Sequence, residues 1–354
     1  MLFLSKQEGE RWIACAQEAL AGTAEPHDFD QEIRPNLIPA FDYFVGTTLV
    51  AKGLGERGQA WCREGVLLEE DGLFSNGFLL NFLKRQNGSL VMPAVAFADP
   101  RPFVHFAGVP TMKSARERFL KQCGHSLPRF QHPLRILDIG TGNGALVVQL
   151  VQHLQECGKV GEVGEILLVD PSPAMCALAE ETVAKEFPRQ RIRTVNARIQ
   201  DLSDKLDARY DVALASLAFH HMPYEDKEVH LSRLEPWIDH FLLFELNANN
   251  DLPAMHSPEL ALSVYQSYGR MMDFVFSHDA PVEVALACID LFLMTEAVSL
   301  LTQPRGIRSD YHLLRWQWKD LLDRKLGPAF ACGCDSLCYA DEYLDLFTLH
   351  YQRV

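Results

Sequence analysis

The chain has 354 residues, 48% of them apolar, enough for a sizeable core arranged as two domains or as one large domain with insertions. Its formal net charge of −14 opposes approach to a phosphate backbone, so the sequence predicts no nucleic-acid partner. The opening MLFLSK turns polar too soon for a secretory signal, and nine scattered cysteines, an odd number, suit reduced thiols, so the expected compartment is the cytoplasm.

Residues 1–110 read as a mainly helical region, a candidate lid or dimerisation surface, with helices expected over Glu10–Leu20 and Pro35–Val50. Glu64–Ser75, with Gly65, Gly72 and four acids, reads as a hairpin or loop. From Leu134 the pattern changes. Leu134–Ile139 is a short apolar run, and Val147, Leu150, Val151 and Leu154 then share one helical face. Ile166–Val169 is a second buried strand, stopped by Asp170-Pro171. Ser172-Pro173 then caps a helix. Further strands are expected at Arg191–Val195, Asp211–Leu217 and Phe241–Leu246, with a helix at Glu225–Leu234.

Short apolar strands alternating with amphipathic helices predict a doubly wound α/β fold. After Leu246 the alternation stops. A helical insertion over residues 252–327 is expected, with Ser257 and Ser309 as caps, Pro281 opening a very apolar helix and Gly327 closing the last one. The stretch Pro281 to Leu301 carries Glu283, Asp290 and Glu296, which predicts a buried helix and no membrane span. Strands are expected near Phe330 and at Tyr343–Tyr351.

LDIGTGNG, from Leu137 to Gly144, follows a strand and opens a helix. Glycines are needed there where φ is positive or where a ligand presses on the backbone. Gly140-x-Gly142-x-x-Ala145 nearly fits a dinucleotide fingerprint, but Asp138 would face a pyrophosphate, and no hydride-transfer constellation follows. A cofactor carrying positive charge and an amino group suits Asp138 better.

Four motifs in order, LDIGTGNG, LLVDPSPAM, RIQDL and YDVALASLAFHHM, followed by the strand FLLFE, resemble those of class I S-adenosylmethionine-dependent methyltransferases. The resemblance spans about a third of the chain, Leu134 to Leu246. It implies a doubly wound, mostly parallel seven-stranded sheet, a cofactor-binding domain over 111–354, and S-adenosylmethionine as cofactor. Carried over position by position, it implies that Gly140, Thr141, Gly142, Asn143 and Gly144 lie along the methionine part. Asp138 would hold the amino group, and Asp170 with Pro171 the ribose hydroxyls. Ile199, Gln200 and Asp201 would flank the adenine, and Ser216 and Leu217 would lie under the sulfonium. The sequence departs from the family at Arg198, where an acid is common, and at Pro236–His240, which replaces a glycine turn.

Methyl transfer from a sulfonium needs alignment and exclusion of water, and a base only where the acceptor must lose a proton. His220 and His221 follow strand four and are candidate bases or substrate contacts; Glu245 ends strand five, with Asn247, Asn249, Asn250 and Asp251 after it. That polar cluster could bind substrate or cap a helix. No resident metal is predicted, the alternative being a divalent ion gathered by His220, His221, Glu245 and Asp251. Cys332, Cys334 and Cys338 lack paired ligand spacing and read as thiols. Arg116 and Arg118 could meet a carboxylate of cofactor or substrate, or lie on a solvated face. Aromatic and aliphatic residues in both flanking segments, Phe41, Phe103, Phe106, Met271 and Phe274 among them, suggest a closed apolar pocket for a small organic acceptor. The alternatives are a protein or RNA acceptor, or a non-catalytic binding protein of the same fold.

Overall fold

The computed structural model describes residues 1–69, 73–92 and 99–354. Seven strands form one sheet in the order β3-β2-β1-β4-β5-β7-β6: β1 (Leu134–Ile139), β2 (Val163–Asp170), β3 (Ile192–Asn196), β4 (Tyr210–Ser216), β5 (Ile238–Asn247), β6 (Phe330–Ala340) and β7 (Asp345–Arg353). The β1–β2, β1–β4, β2–β3 and β4–β5 pairings are parallel, while β7 runs antiparallel to β5 and β6, so the sheet is mixed. The order reverses beside β1, and at such a switch point the carboxyl ends of the strands leave a crevice.

Strand residues feed two cores with period two. Ile136, Ile166, Leu168, Leu242 and Phe244 enter one, and Leu137, Ile139, Leu167, Val169, Phe241 and Leu243 the other. On the first side lie α6 (Pro110–Ser126), α7 (Ala145–Glu156) and α8 (Pro173–Ala184), after five N-terminal helices: α1 (Lys6–Ala21), α2 (Ile38–Ala51), α3 (Gly55–Leu68), α4 (Ser75–Arg85) and α5 (Pro100–Ala107). The one-turn α9 (Ile199–Leu202), α10 (Tyr224–Leu234) and α14 (Arg315–Lys325) cover the second side.

Between β5 and α14 come α11 (Pro258–Val275), α12 (Val282–Cys288), a π-turn (Ile289–Leu293) and α13 (Met294–Thr302). These pack on the N-terminal helices, α11 against α2 and α4, and α12 against α5. The main chain of Leu2 exchanges two hydrogen bonds with the Gln266 amide, at 2.8 and 3.1 Å. Val282–Thr302 is long and apolar enough to cross a membrane, but 67% of its most apolar window is buried inside the fold.

Two local expectations fail. Residues Glu64–Leu68 belong to α3, because Gly65 sits so close to the buried Asn76 side chain that two helices can cross there. Gly72, which had suggested a turn, lies outside the described residues. Ser309 caps no helix. Its hydroxyl donates to Asp310 at 2.5 Å, and α14 starts six residues later, with the Leu314 N–H donating to Gln317 at 2.8 Å.

The irregular segment 303–314 is held by a buried cation. Lys227, fully buried on α10, donates to the carbonyls of Met222 (2.7 Å) and Tyr311 (2.6 Å) and to Asp251 (3.1 Å), itself fully buried. Arg305 binds the other Asp251 oxygen at 2.7 Å. Removing one partner of such a pair leaves an uncompensated charge. Lys227→Met should therefore destabilise the fold by about 3–5 kcal/mol, read as a lower urea midpoint, whereas Lys319→Met on the exposed face of α14 should cost about 0–1 kcal/mol.

Candidate active site

A cavity of about 220 Å³ opens over the carboxyl ends of β1, β2 and β4. Its floor is the turn after β1. Gly140, Gly142 and Gly144 all have positive φ, and a Cβ at Gly140 would collide with the Ala218 methyl. A Cβ at Gly142 would come within 2.9 Å of the Phe103 ring, which α5 lowers onto the turn. Asp170, at the tip of β2, accepts from the Gly142 N–H at 3.0 Å and from the Ser172 N–H at 2.8 Å. Each carboxylate oxygen keeps a further lone pair. Burial raises its pKa and the two backbone donors partly offset that.

Of the residues the sequence singled out, Gly140, Gly142, Asp170, Pro171, Ile199, Gln200, Ser216 and Leu217 line this cavity. Asp138, Thr141, Asn143, Gly144 and Asp201 do not. Asp138 lies behind the turn, where its carboxylate accepts from the Thr141 hydroxyl at 2.5 Å; burial, with Asp170 nearby, pushes it up to about 7. Asn143 accepts from the Ala145 N–H at 3.1 Å and so caps α7. Gly144 lets α7 pass close to the Ala179 backbone of α8. Asp201 is exposed and pairs with Arg198 at 3.1 Å. Phe103, Ser172, Met175, Ala197 and Met222 also line the cavity, and no motif had marked them as site residues. Leu217 has φ +49° and faces the cavity, a conformation disfavoured for its side chain and held by its N–H to Phe244 O at 2.8 Å.

A second, inner cavity of about 60 Å³ adjoins the first, the two sharing Phe103, Arg116, Leu217 and His221 as walls. It is mostly apolar, walled by Phe106, Met112, Met271, Phe274, Phe292 and Leu293. The π-turn places the last two, and Phe106 meets Phe292 edge-on at 5.6 Å. Phe41, by contrast, sits in the N-terminal core against Trp12 and Trp61.

The inner cavity's polar wall is built from three stretches far apart in sequence. His220 stacks between His221 (4.1 Å) and His312 (4.0 Å). His220 Nδ1 donates to Glu245 at 2.9 Å. Nδ1 of His221 lies 3.1 Å from both the Ser309 carbonyl and Asp310, two acceptors, so it carries a proton. Burial lowers His220 to about 4. Burial also opposes protonation of His221, but the bond and charge of Asp310 outweigh it and raise His221 to about 9. Glu245 is held well below the usual range by His220 and His312 against the effect of burial, whereas burial and Asp310 drive Glu296 well up.

Asp251 is not part of this group, since Lys227 and Arg305 bind it. Asn247 caps α14 by accepting from the Arg315 N–H at 2.8 Å, and Asn250 accepts from Ser263 at 2.6 Å. Asn249 lies beside them, its N–H on Ser263 at 2.9 Å. Among the described residues, the groups of ligand atoms close enough to share an ion are His220, His221, Asp310 and His220, Glu245, His312; no cysteine joins either.

Arg116, from α6, reaches both cavities. It donates to the Ala107 carbonyl at 3.3 Å, its Nε is buried without a partner, and no carboxylate of the described residues pairs with it. Burial lowers its pKa to about 10. Arg118 instead donates to Cys338 O at 3.1 Å.

No sequence among the curated proteins matches the chain. Several solved structures resemble it distantly. The plantazolicin methyltransferase BpumL, solved with a triazolic desmethyl analogue of plantazolicin and S-adenosylhomocysteine, is 14% identical, with TM-score 0.42, over 80% of this chain and 96% of that one. The S-adenosylmethionine-dependent methyltransferase SibL is 14% identical, with TM-score 0.38, over 97% of this chain and 75% of that one. Magnesium protoporphyrin IX methyltransferase from Synechocystis PCC 6803 is 15% identical, with TM-score 0.38, over 72% of this chain and all of that one. Residues 136–237, from the core of β1 to the start of β5, match the family model of a methyltransferase domain. Residues 136–237 of the chain thus form a methyltransferase domain.

Proposed function

We propose that the protein methylates a small organic acceptor held in the inner cavity. The observation that carries this reading is the junction of the two cavities at Leu217 and His221: one cavity is lined by the cofactor motifs, the other is apolar and roofed by α5 and the π-turn. A protein or RNA acceptor would need an open groove, and a space enclosed by Phe106, Phe274 and Phe292 speaks against it.

The residues fit S-adenosylmethionine on this chain's own geometry. Gly140 and Gly142 present only backbone to the cavity, along which the methionine portion would lie. Asp170 keeps lone pairs for the ribose hydroxyls, and Ile199 with Gln200 flanks the adenine. Asp138, from behind the turn, attracts the amino group, with Thr141 holding its orientation. Ser216 and Leu217, which line the cavity, would lie beneath the sulfonium, and the cofactor would supply a methyl group already activated. His221, protonated between Ser309 and Asp310, is suited to holding an acceptor oxygen more than to removing its proton. His220 and Glu245 position it. The walls exclude water.

Asp170→Asn should raise the Kd for S-adenosylhomocysteine by about 10–100-fold, the loss expected when charged hydrogen bonds go. Calorimetry showing unchanged affinity would remove the nucleoside from this cavity. The amino group needs Asp138 ionised, and Asp138 titrates at about 7 in the unliganded protein. Affinity should therefore hold above that pH and fall by up to about tenfold per unit below it, a dependence absent in Asp138→Asn.

The unpaired Arg116 calls for an anion, either the cofactor carboxylate or one on the acceptor. Arg116→Met should weaken S-adenosylhomocysteine at least about tenfold and leave 5′-methylthioadenosine, which lacks the carboxylate, unchanged if the cofactor is its partner. If both nucleosides bind normally, the carboxylate belongs to the acceptor.

A further inference from the structure

The polar wall of the inner cavity holds an arrangement that hydrogen bonding leaves incomplete. His220, Glu245 and His312 are 5%, 0% and 3% exposed and come from the turn after β4, the end of β5 and the segment 303–314. His220 Nδ1 is 2.9 and 3.1 Å from the two Glu245 oxygens, and His312 Nδ1 is 3.4 Å from one of them. The three ligand atoms all lie within 4.8 Å of one another. Spacings of about 3.0–3.4 Å are the edges of an octahedron or tetrahedron whose metal–ligand bonds are about 2.1 Å. One buried nitrogen, His312 Nδ1, meanwhile has no hydrogen-bond partner.

We propose that His220, Glu245 and His312 bind one divalent first-row transition ion. Two imidazoles and a carboxylate suit Zn²⁺, Fe²⁺ or Mn²⁺ over the all-oxygen preference of Ca²⁺ and Mg²⁺. An ion there gives His312 Nδ1 its missing partner. It also needs the lone pair of His220 Nδ1, which moves the ring proton to Nε2, and that nitrogen lies 3.6 Å from Asp310 Oδ1. A carboxylate behind a ligating histidine fixes its tautomer in this way. The other close group, His220, His221 and Asp310, offers no equal site, because His221 Nδ1 holds a proton between two oxygens and has no lone pair to give. His220 and His312 both line the inner cavity, so the remaining coordination positions face it. Resting on the reading of that cavity as the acceptor site, the inference selects an acceptor that presents an oxygen donor to the ion.

The test uses the full chain, stripped with EDTA and titrated with Co²⁺ as the probe ion, followed by visible d–d absorption and by metal analysis after dialysis. The wild type should take up one Co²⁺ per chain with structured visible bands. His312→Ala and Glu245→Gln should each weaken uptake about 10–100-fold. S-adenosylhomocysteine, read by thermal shift on the same metal-free samples, should still bind. A featureless spectrum with well under one ion per wild-type chain overturns the proposal whatever the variants do. Uptake undiminished in both variants also overturns it, as binding elsewhere on the surface. Uptake as expected without binding of S-adenosylhomocysteine leaves the ion site standing and refutes the cofactor assignment instead.

Discussion

A side-chain hydrogen bond joins the two sides of the outer cavity: the N–H of Gly142, in the turn after β1, to the carboxylate of Asp170 at the tip of β2. It extends the contacts of that turn with β2, where the N–H groups of Gly140 and Thr141 already reach the Val169 carbonyl at 2.8 and 3.1 Å. Past Thr141 the turn leaves the ladder, and Gly142, at positive φ, is tied to β2 by this bond. The carboxylate needs it too, since a buried anion without donors would be expensive. The parallel β1–β2 register brings the two together, with Ile139 beside Val169, so the geometry of the site is written into the sheet.

The inner cavity is built on the opposite principle. Many of its walls come from α5, α6, α11, the π-turn and the segment 303–314, outside the alternating part of the chain, and they meet Leu217, His220, His221 and Leu246 from the ends of β4 and β5. What makes them rigid is polar burial. Lys227 holds Tyr311 and Asp251, and the N–H groups of Asn250 and Asp251 both reach the His312 carbonyl at 3.0 Å. The histidine wall is thus positioned by a network whose members lose much if any one is missing.

This division explains what could be read from the sequence. Strands β1 to β5 are short apolar runs between turn residues, and periodicity finds them to within a few positions. Asp170 is legible because it ends an apolar run ahead of a proline and a helix cap. Gly144 is legible as a glycine, but not as one serving helix packing. Asp310 and His312 could not be found, because they sit in irregular chain some ninety residues after His220 and no local pattern points back to it. Asp251 looked equivalent to Glu245 in sequence. The buried Lys227 separates them, and nothing near either residue signals a lysine inside the fold. Phe103 shows the same limit: an aromatic in a helix is ordinarily core, and only the bare backbone at Gly142 gives this one a different place.

The pairing of Leu2 with Gln266 spans 264 residues, and α2 and α4 likewise rest on α11. On the ribosome, the first helices therefore emerge long before their packing partners exist. At about 5–20 residues per second, their apolar faces stay uncovered for roughly 10–50 s. The central sheet does not share this delay among β1 to β5, whose neighbours follow closely in the chain. The roof of the inner cavity can therefore close only once α11 and the π-turn have left the exit tunnel, with β6 and β7 still to join the sheet.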